Sequence, residues 1–165
     1  MQHPGPREER RANAADPSAL HALLADTAVL LAKTQACHWN AQGPGFYAVH
    51  ELTEAQYQEL FAALDVLGER LRALGVAAPD GLAAMLQGAT LEPALGETAI
   101  PAAVAALAAD HARLAAQARE GAEAMERAGD AGSHDVLVAR VLAHEKAAWL
   151  LRSHAEQGSE TRGVR

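Results

Sequence analysis

The chain has 165 residues and a formal net charge of −7, long enough for one domain with a real hydrophobic core and too acidic for its body to attract nucleic acid. Half of the residues are hydrophobic but only six are aromatic, a mixture that favours helices over sheets. The single Cys37 excludes an intrachain disulfide, the opening residues have no apolar signal region, and no stretch approaches the roughly 20 uncharged apolar residues of a membrane span, so a soluble cytoplasmic protein is expected.

Residues 1–17 are polar, with Arg7, Arg10 and Arg11 interleaved with Glu8 and Glu9, and read as a flexible tail. Asp16-Pro17-Ser18 is a helix start. From Leu20, the residues Leu23, Leu24, Leu30 and Leu31 keep a helical period up to His38 and Trp39. Gly43-Pro44-Gly45 breaks the chain. A second helix follows from about Phe46 to Leu74, with Val49, Leu52, Tyr57, Leu60, Phe61, Leu64, Leu67 and Leu71 as its apolar face and Gly75 as its stop. Gly68 lies inside this helix, where glycine costs about 1 kcal/mol relative to alanine. Residues 76–97 carry Pro79, Gly81, Gly88, Pro93 and Gly96 and form a long connection, with room for a short helix at Asp80–Leu86. A third helix is predicted from Ile100-Pro101 to Arg127 or Ala128. A fourth, capped by Ser133 or Asp135, carries Val136, Leu137, Val141, Leu142, Trp149 and Leu150. A polar tail occupies 158–165. The fold class is all-α: residues 18–157 form a four-helix bundle of the ferritin-like kind, with a short extra helix in the long connection between the second and third helices. That crossover lets the second and third helices run parallel.

His38, His50, Asp65 and Glu69 are ligand types suited to iron, manganese or zinc. His38 and His50 flank the short break between the first two helices, so a hairpin would hold them close; each alone is as readily a satisfied polar contact or a helix-end histidine. Glu54 stands one turn after His50 on the same face. Asp65 and Glu69 share a helical face and could share an ion, or belong to a solvated surface. His50 and Asp65 are separated by about 22 Å of helix. One metal cannot bridge that gap, so either the residues are unrelated or a second subunit runs antiparallel and brings its carboxylates to the histidines. No helix contains Glu-x-x-His, so the usual intrachain di-iron centre of such bundles is not expected.

The elements KT-x-x-x-HWN at 33–40, G-P-x-F-x-x-x-H-E at 43–51, and D-x-x-x-E-R at 65–70 followed by x-x-x-L-G together resemble the Dps family, the DNA-protecting mini-ferritins. The resemblance is close over residues 20–75. It is looser over 98–155, where GDAGSHDVL is similar to the family's Gly-Asp-x-x-Thr-x-Asp-x-Leu stretch. It implies a ferroxidase centre shared across a two-fold axis, with His38, His50 and Glu54 from one subunit and Asp65 and Glu69 from its partner, binding iron as Fe2+ and then Fe3+. It further implies Trp39 as an aromatic that quenches radicals beside the centre, with core packing as the equal alternative. Asp130 and Asp135 match acidic positions lining a three-fold iron-uptake pore, although capping is the ordinary role of aspartates between helices. Cys37 reads as a buried small thiol rather than a redox switch. Gly68 departs from the alanine usual in this family.

The function implied is an enzyme, a ferroxidase that oxidises Fe(II) with hydrogen peroxide and stores ferric mineral inside a hollow dodecamer, protecting the cell and its DNA. The alternative is a nucleoid-associated structural protein that binds and compacts DNA, with iron chemistry secondary. The N-terminal tail has no lysine, and its three arginines are offset by two glutamates, which weakens the DNA reading; Arg162 and Arg165 add little.

Overall fold

The computed structural model describes residues 16–96 and 99–160. Most of the predicted N-terminal tail and the last five residues lie outside this range. Among the described residues, five helices follow in chain order: α1 (Ser18–Asn40), α2 (Phe46–Ala73), α3 (Leu82–Leu86), α4 (Ile100–Arg127) and α5 (Ala131–Glu160). The boundaries follow local chemistry. The Asp16 carboxylate accepts a hydrogen bond from the Ser18 amide at 2.9 Å where α1 begins. Gly45 takes φ +86° immediately before α2, a left-handed conformation that a side chain would strain. Pro101 sits in the first turn of α4, where its missing N–H removes no intrahelical bond. Gly129, at φ +72°, closes α4 and lets the Asp130 amide reach the Met125 carbonyl at 3.0 Å. The last helix runs on to Glu160, past Gly158 where the tail was expected to start.

α1 and α2 form one helical hairpin, α4 and α5 the other, and the 76–99 crossover joins them. Gln42, in the α1–α2 turn, forms an isolated parallel bridge with Ala99, just before α4. Both α2 and α4 therefore start at the same end of the bundle and run parallel, as the long connection allows. The core is leucine-rich: Leu20, Leu23 and Leu30 of α1, Leu60, Leu67 and Leu71 of α2, Leu107 and Leu114 of α4, and Leu137 and Leu151 of α5 are all buried. Side chains of this kind contribute about 1.5–3 kcal/mol each when fully buried.

Polar ties fix the register of the helices. Asp26 of α1 is buried and accepts hydrogen bonds from the Thr90 amide at 2.6 Å, the Thr90 hydroxyl at 2.8 Å, the Leu91 amide at 2.8 Å and the Gln117 amide group at 3.1 Å. One carboxylate thus pins the crossover to α1 and α4. Lys33 of α1 and Asp110 of α4 form a buried ion pair at 2.5 Å, and Arg140 of α5 makes a two-point pair with Glu59 of α2. Among the described residues, no helix is long and apolar enough to cross a membrane.

The apolar periods did not all turn inward. Phe61 of α2 is 70 % exposed, Leu142 of α5 63 % and Trp149 57 %. Their helices carry apolar side chains on outward faces as well, which a bundle standing alone has no means of covering.

Candidate metal centre

The turn at 41–45 folds α2 back onto α1 and stacks two imidazoles. The His38 and His50 rings lie 3.8 Å apart at 16°. His38 Nδ1 donates to the His50 carbonyl at 3.0 Å, and His50 Nδ1 donates to the His38 carbonyl at 3.1 Å. A carbonyl only accepts, so Nδ1 carries the hydrogen in both rings. In each neutral ring the lone pair is then on Nε2, the tautomer a metal ligand needs. The pair sets its own tautomers reciprocally through the backbone, with no other side chain required.

The stack is held from several sides. Tyr57 meets His38 edge-on at 5.2 Å between centroids, and Phe46 covers His50 at 5.2 Å. Thr53 is buried beneath them and donates back to the Val49 carbonyl at 2.7 Å. Glu54, one turn along α2 from His50, completes the group: a ligand atom from each of His38, His50 and Glu54 lies within 4.8 Å of the others. Two imidazoles and a carboxylate suit divalent iron, manganese or zinc.

Asp65 and Glu69 are not brought to this group. Both are exposed, further along α2 on the face that carries Tyr47, His50, Glu54 and Phe61. Trp39, next to His38 in the chain, is 69 % exposed, so the core-packing reading fails for it. Cys37 is buried, and burial raises its thiol pKa, which suits an inert packing role.

Asp130 caps α5. It accepts from the Ser133 amide at 3.0 Å and the Ser133 hydroxyl at 2.6 Å, and pairs with Arg70 at 2.5 Å. Burial alone would raise its pKa, but the Ser133 hydrogen bonds and the Arg70 charge outweigh it and hold the carboxyl below the ordinary value. The predicted caps Ser133 and Asp135 do not serve; Ser133 is the donor in this contact. Asp135 is exposed, near His134 at 3.4 Å. Arg70, of the D-x-x-x-E-R stretch, also donates to Ser133 Oγ at 2.9 Å, so it locks the end of α2 to the α4–α5 turn.

The sequence reading missed a second histidine pair, His111 of α4 and His144 of α5, both buried, with Nδ1 atoms 3.0 Å apart. Neither has a partner at a helical spacing in its own element, so only the packing of α4 on α5 reveals it.

Comparison with known proteins agrees with this architecture. The ferritin-like domain profile matches residues 18–160. An uncharacterised low-temperature-induced protein of Nostoc is 37 % identical over 140 residues, covering 81 % of this chain and 75 % of its own. The DNA protection during starvation protein of Brevibacillus brevis is 30 % identical over 137 residues, covering 83 % and 92 %. The crystal structure of a Dps protein from Vibrio cholerae, described as a member of a superfamily of ferritin-like diiron-carboxylate proteins, superposes with a TM-score of 0.79 at 25 % identity, covering 88 % of this chain and 90 % of that one. With the domain match spanning nearly all of the described residues, the chain belongs to the Dps family of ferritin-like proteins.

Proposed function

We propose that this protein binds and oxidises ferrous iron at a centre completed by a second copy of the chain, and stores the ferric product within a closed oligomer. The observation that carries the reading is the His38–His50–Glu54 group, with both Nε2 lone pairs freed by the reciprocal backbone hydrogen bonds. Three donors leave an iron ion under-coordinated. The missing carboxylates are at hand on the same outward face of α2.

Helix arithmetic supports an antiparallel partner. If His50 faces Asp65 of a second copy, the two-fold axis crosses α2 between Tyr57 and Gln58, and Glu69 falls opposite Phe46, one turn before His50. Each copy then gives histidines to one centre and carboxylates to the other, two centres per dimer. Exposed Phe61 and Val66 would be covered by the same contact. Within each centre the imidazoles and carboxylates hold the ion, while the anionic oxygens favour the higher charge of the ferric product. The exposed Trp39, which follows His38 in the chain, would give up an electron to stray oxidising radicals.

Hydrogen peroxide fits as oxidant because it takes up the electrons of two ferrous ions and is released as water. Removing iron and peroxide together suppresses hydroxyl-radical formation, which protects DNA without touching it. The family relative named for DNA protection supports that outcome for this chain. A dodecamer with acidic pores, Asp135 among their lining, would supply iron to the centres; Asp130, tied to Arg70 and Ser133, is better suited to hold the turn beside such a pore. Direct DNA binding has less support, since the net charge of −7 gives the body no counterion-release term to exploit.

Anaerobic titration with Fe2+ followed by peroxide, on protein sized by light scattering, tests the reading. His50→Ala and Asp65→Ala should each slow fast oxidation by more than about tenfold, since loss of even an outer-shell partner of a metal site has effects of that order. Both variants should stay assembled. Unchanged oxidation in either variant rejects the assignment.

A further inference from the structure

His111 and His144 have no part in the proposed metal chemistry, yet they are sealed in the bundle at 1 % and 0 % exposure. Their rings lie 5.2 Å apart at 49°, with one Nδ1 donating to the other at 3.0 Å. Such a bond requires a lone pair on one Nδ1, so it exists only while at least one ring is neutral. Both Nε2 atoms are buried without a hydrogen-bond partner among the described residues. In the neutral pair one of them carries a hydrogen and the other a lone pair, and neither is satisfied.

The surroundings do not welcome positive charge. Arg140, on α5 with His144, is buried beside the pair, and its guanidinium pairs with Glu59 of α2. On α4, Asp110 precedes His111 but is already paired with Lys33 of α1. A metal ion is a poor occupant as well. Among the described residues the only group of three or more close ligand types is the His38 one, so the pair has no third donor.

We propose that the His111–His144 pair, sealed and hydrogen-bonded between α4 and α5 with both Nε2 atoms unsatisfied, is an acid-sensing joint that loosens the bundle in mild acid. The folded core excludes protons that the unfolded chain accepts, and burial is the main cause. It pushes His111 down to about 4, with Glu59 opposing and Arg140 assisting, and His144 down to about 2, with Arg140 and His111 assisting. Above about pH 6.5 both rings are neutral folded or unfolded, and the pair is indifferent to pH. As pH falls from there toward about 4, only the unfolded chain takes up the two protons, so stability falls with pH. Each proton multiplies the unfolding constant by about ten per pH unit, hence up to about a hundredfold per unit for the pair.

The test follows urea unfolding of the assembled protein from pH 8 to pH 5, at fixed protomer concentration, for the natural chain, for His144→Gln and for the double variant His111→Leu/His144→Leu. The expected result is equal slopes above about pH 6.5, and below about pH 6 a slope shallower by about tenfold per unit in the single variant and up to about a hundredfold in the double, whatever their stability at pH 8. Equal slopes in all three below about pH 6 overturn the proposal. If the variants fail to fold, hydrogen exchange at the histidine ring carbons of the natural chain, read by mass spectrometry, decides instead. His111 and His144 should show no titration between pH 8 and pH 5; midpoints near 6.5 at these two rings overturn it.

Discussion

His38 and His50 show how much a single residue's role depends on the backbone around it. Their spacing suggested proximity across a turn, and the turn chemistry of Gly43-Pro44-Gly45 made that legible. The tautomer was not legible, because it is set by carbonyls that only the folded hairpin places 3.0 and 3.1 Å from Nδ1. Asp130 teaches the converse. A sequence motif offered it to a pore, while the ordinary capping preference of aspartate describes what it does here. Asp130→Ala should lose about 1–2 kcal/mol, the range of a lost cap, measured by chemical denaturation. Its pH dependence has a definite direction. The folded carboxyl is held below its ordinary value, so its stabilisation is complete above the unfolded value near 3.8 and is lost as pH falls through the lower folded one. Asp130→Asn should therefore flatten the stability profile below about pH 4 and leave its shape near neutrality unchanged.

At the scale of elements, glycine and proline punctuation placed α1, α2, α4 and their turns within a residue or two. The short α3 begins slightly later than expected, at Leu82. Less visible were the ties between elements, which join residues with no fixed spacing: Asp26 with Thr90 is 64 positions apart, and Glu59 with Arg140 is 81. No local period marks either partner. The Asp26 carboxylate carries the clearest consequence, since it satisfies four donors from the crossover and α4 at once. Asp26→Ala would strand the buried Leu91 amide and the part-buried Thr90 amide, and free this part of the crossover. We expect a loss on the order of 3 kcal/mol, from unsatisfied donors worth about 1–3 kcal/mol each. Hydrogen exchange should locate the loosening at Thr90 and Leu91 rather than throughout the bundle. Uniform loosening, or none, would count against the anchoring role.

For the whole molecule, the informative residues are those that break the inside-out rule. Phe61, Val66, Trp39 and Tyr47 are exposed around the same face of α2 and the adjacent end of α1 that carries the ligand types. The apolar pattern of α2 was readable, but a sequence period does not say whether an apolar side chain meets its own bundle or another copy. Only the count of available inward faces decides that. Phe61→Asp should weaken the proposed two-fold contact, giving smaller particles in light scattering and slower iron oxidation together, with the helix content of each protomer retained. Assembly and oxidation should fall in parallel because each centre needs both copies.

That sharing is open to one direct measurement. Chains carrying His50→Ala and chains carrying Asp65→Ala, each expected to oxidise iron only slowly alone, are co-expressed with distinct tags, and the mixed assemblies are purified through both. In a mixed dimer one centre lacks both residues while the other has both intact. Random pairing makes half of the dimers mixed, so about a quarter of the natural rate should return if the centre is shared across the two-fold axis. A mixed assembly as slow as its parents would show that His50 and Asp65 never serve the same iron.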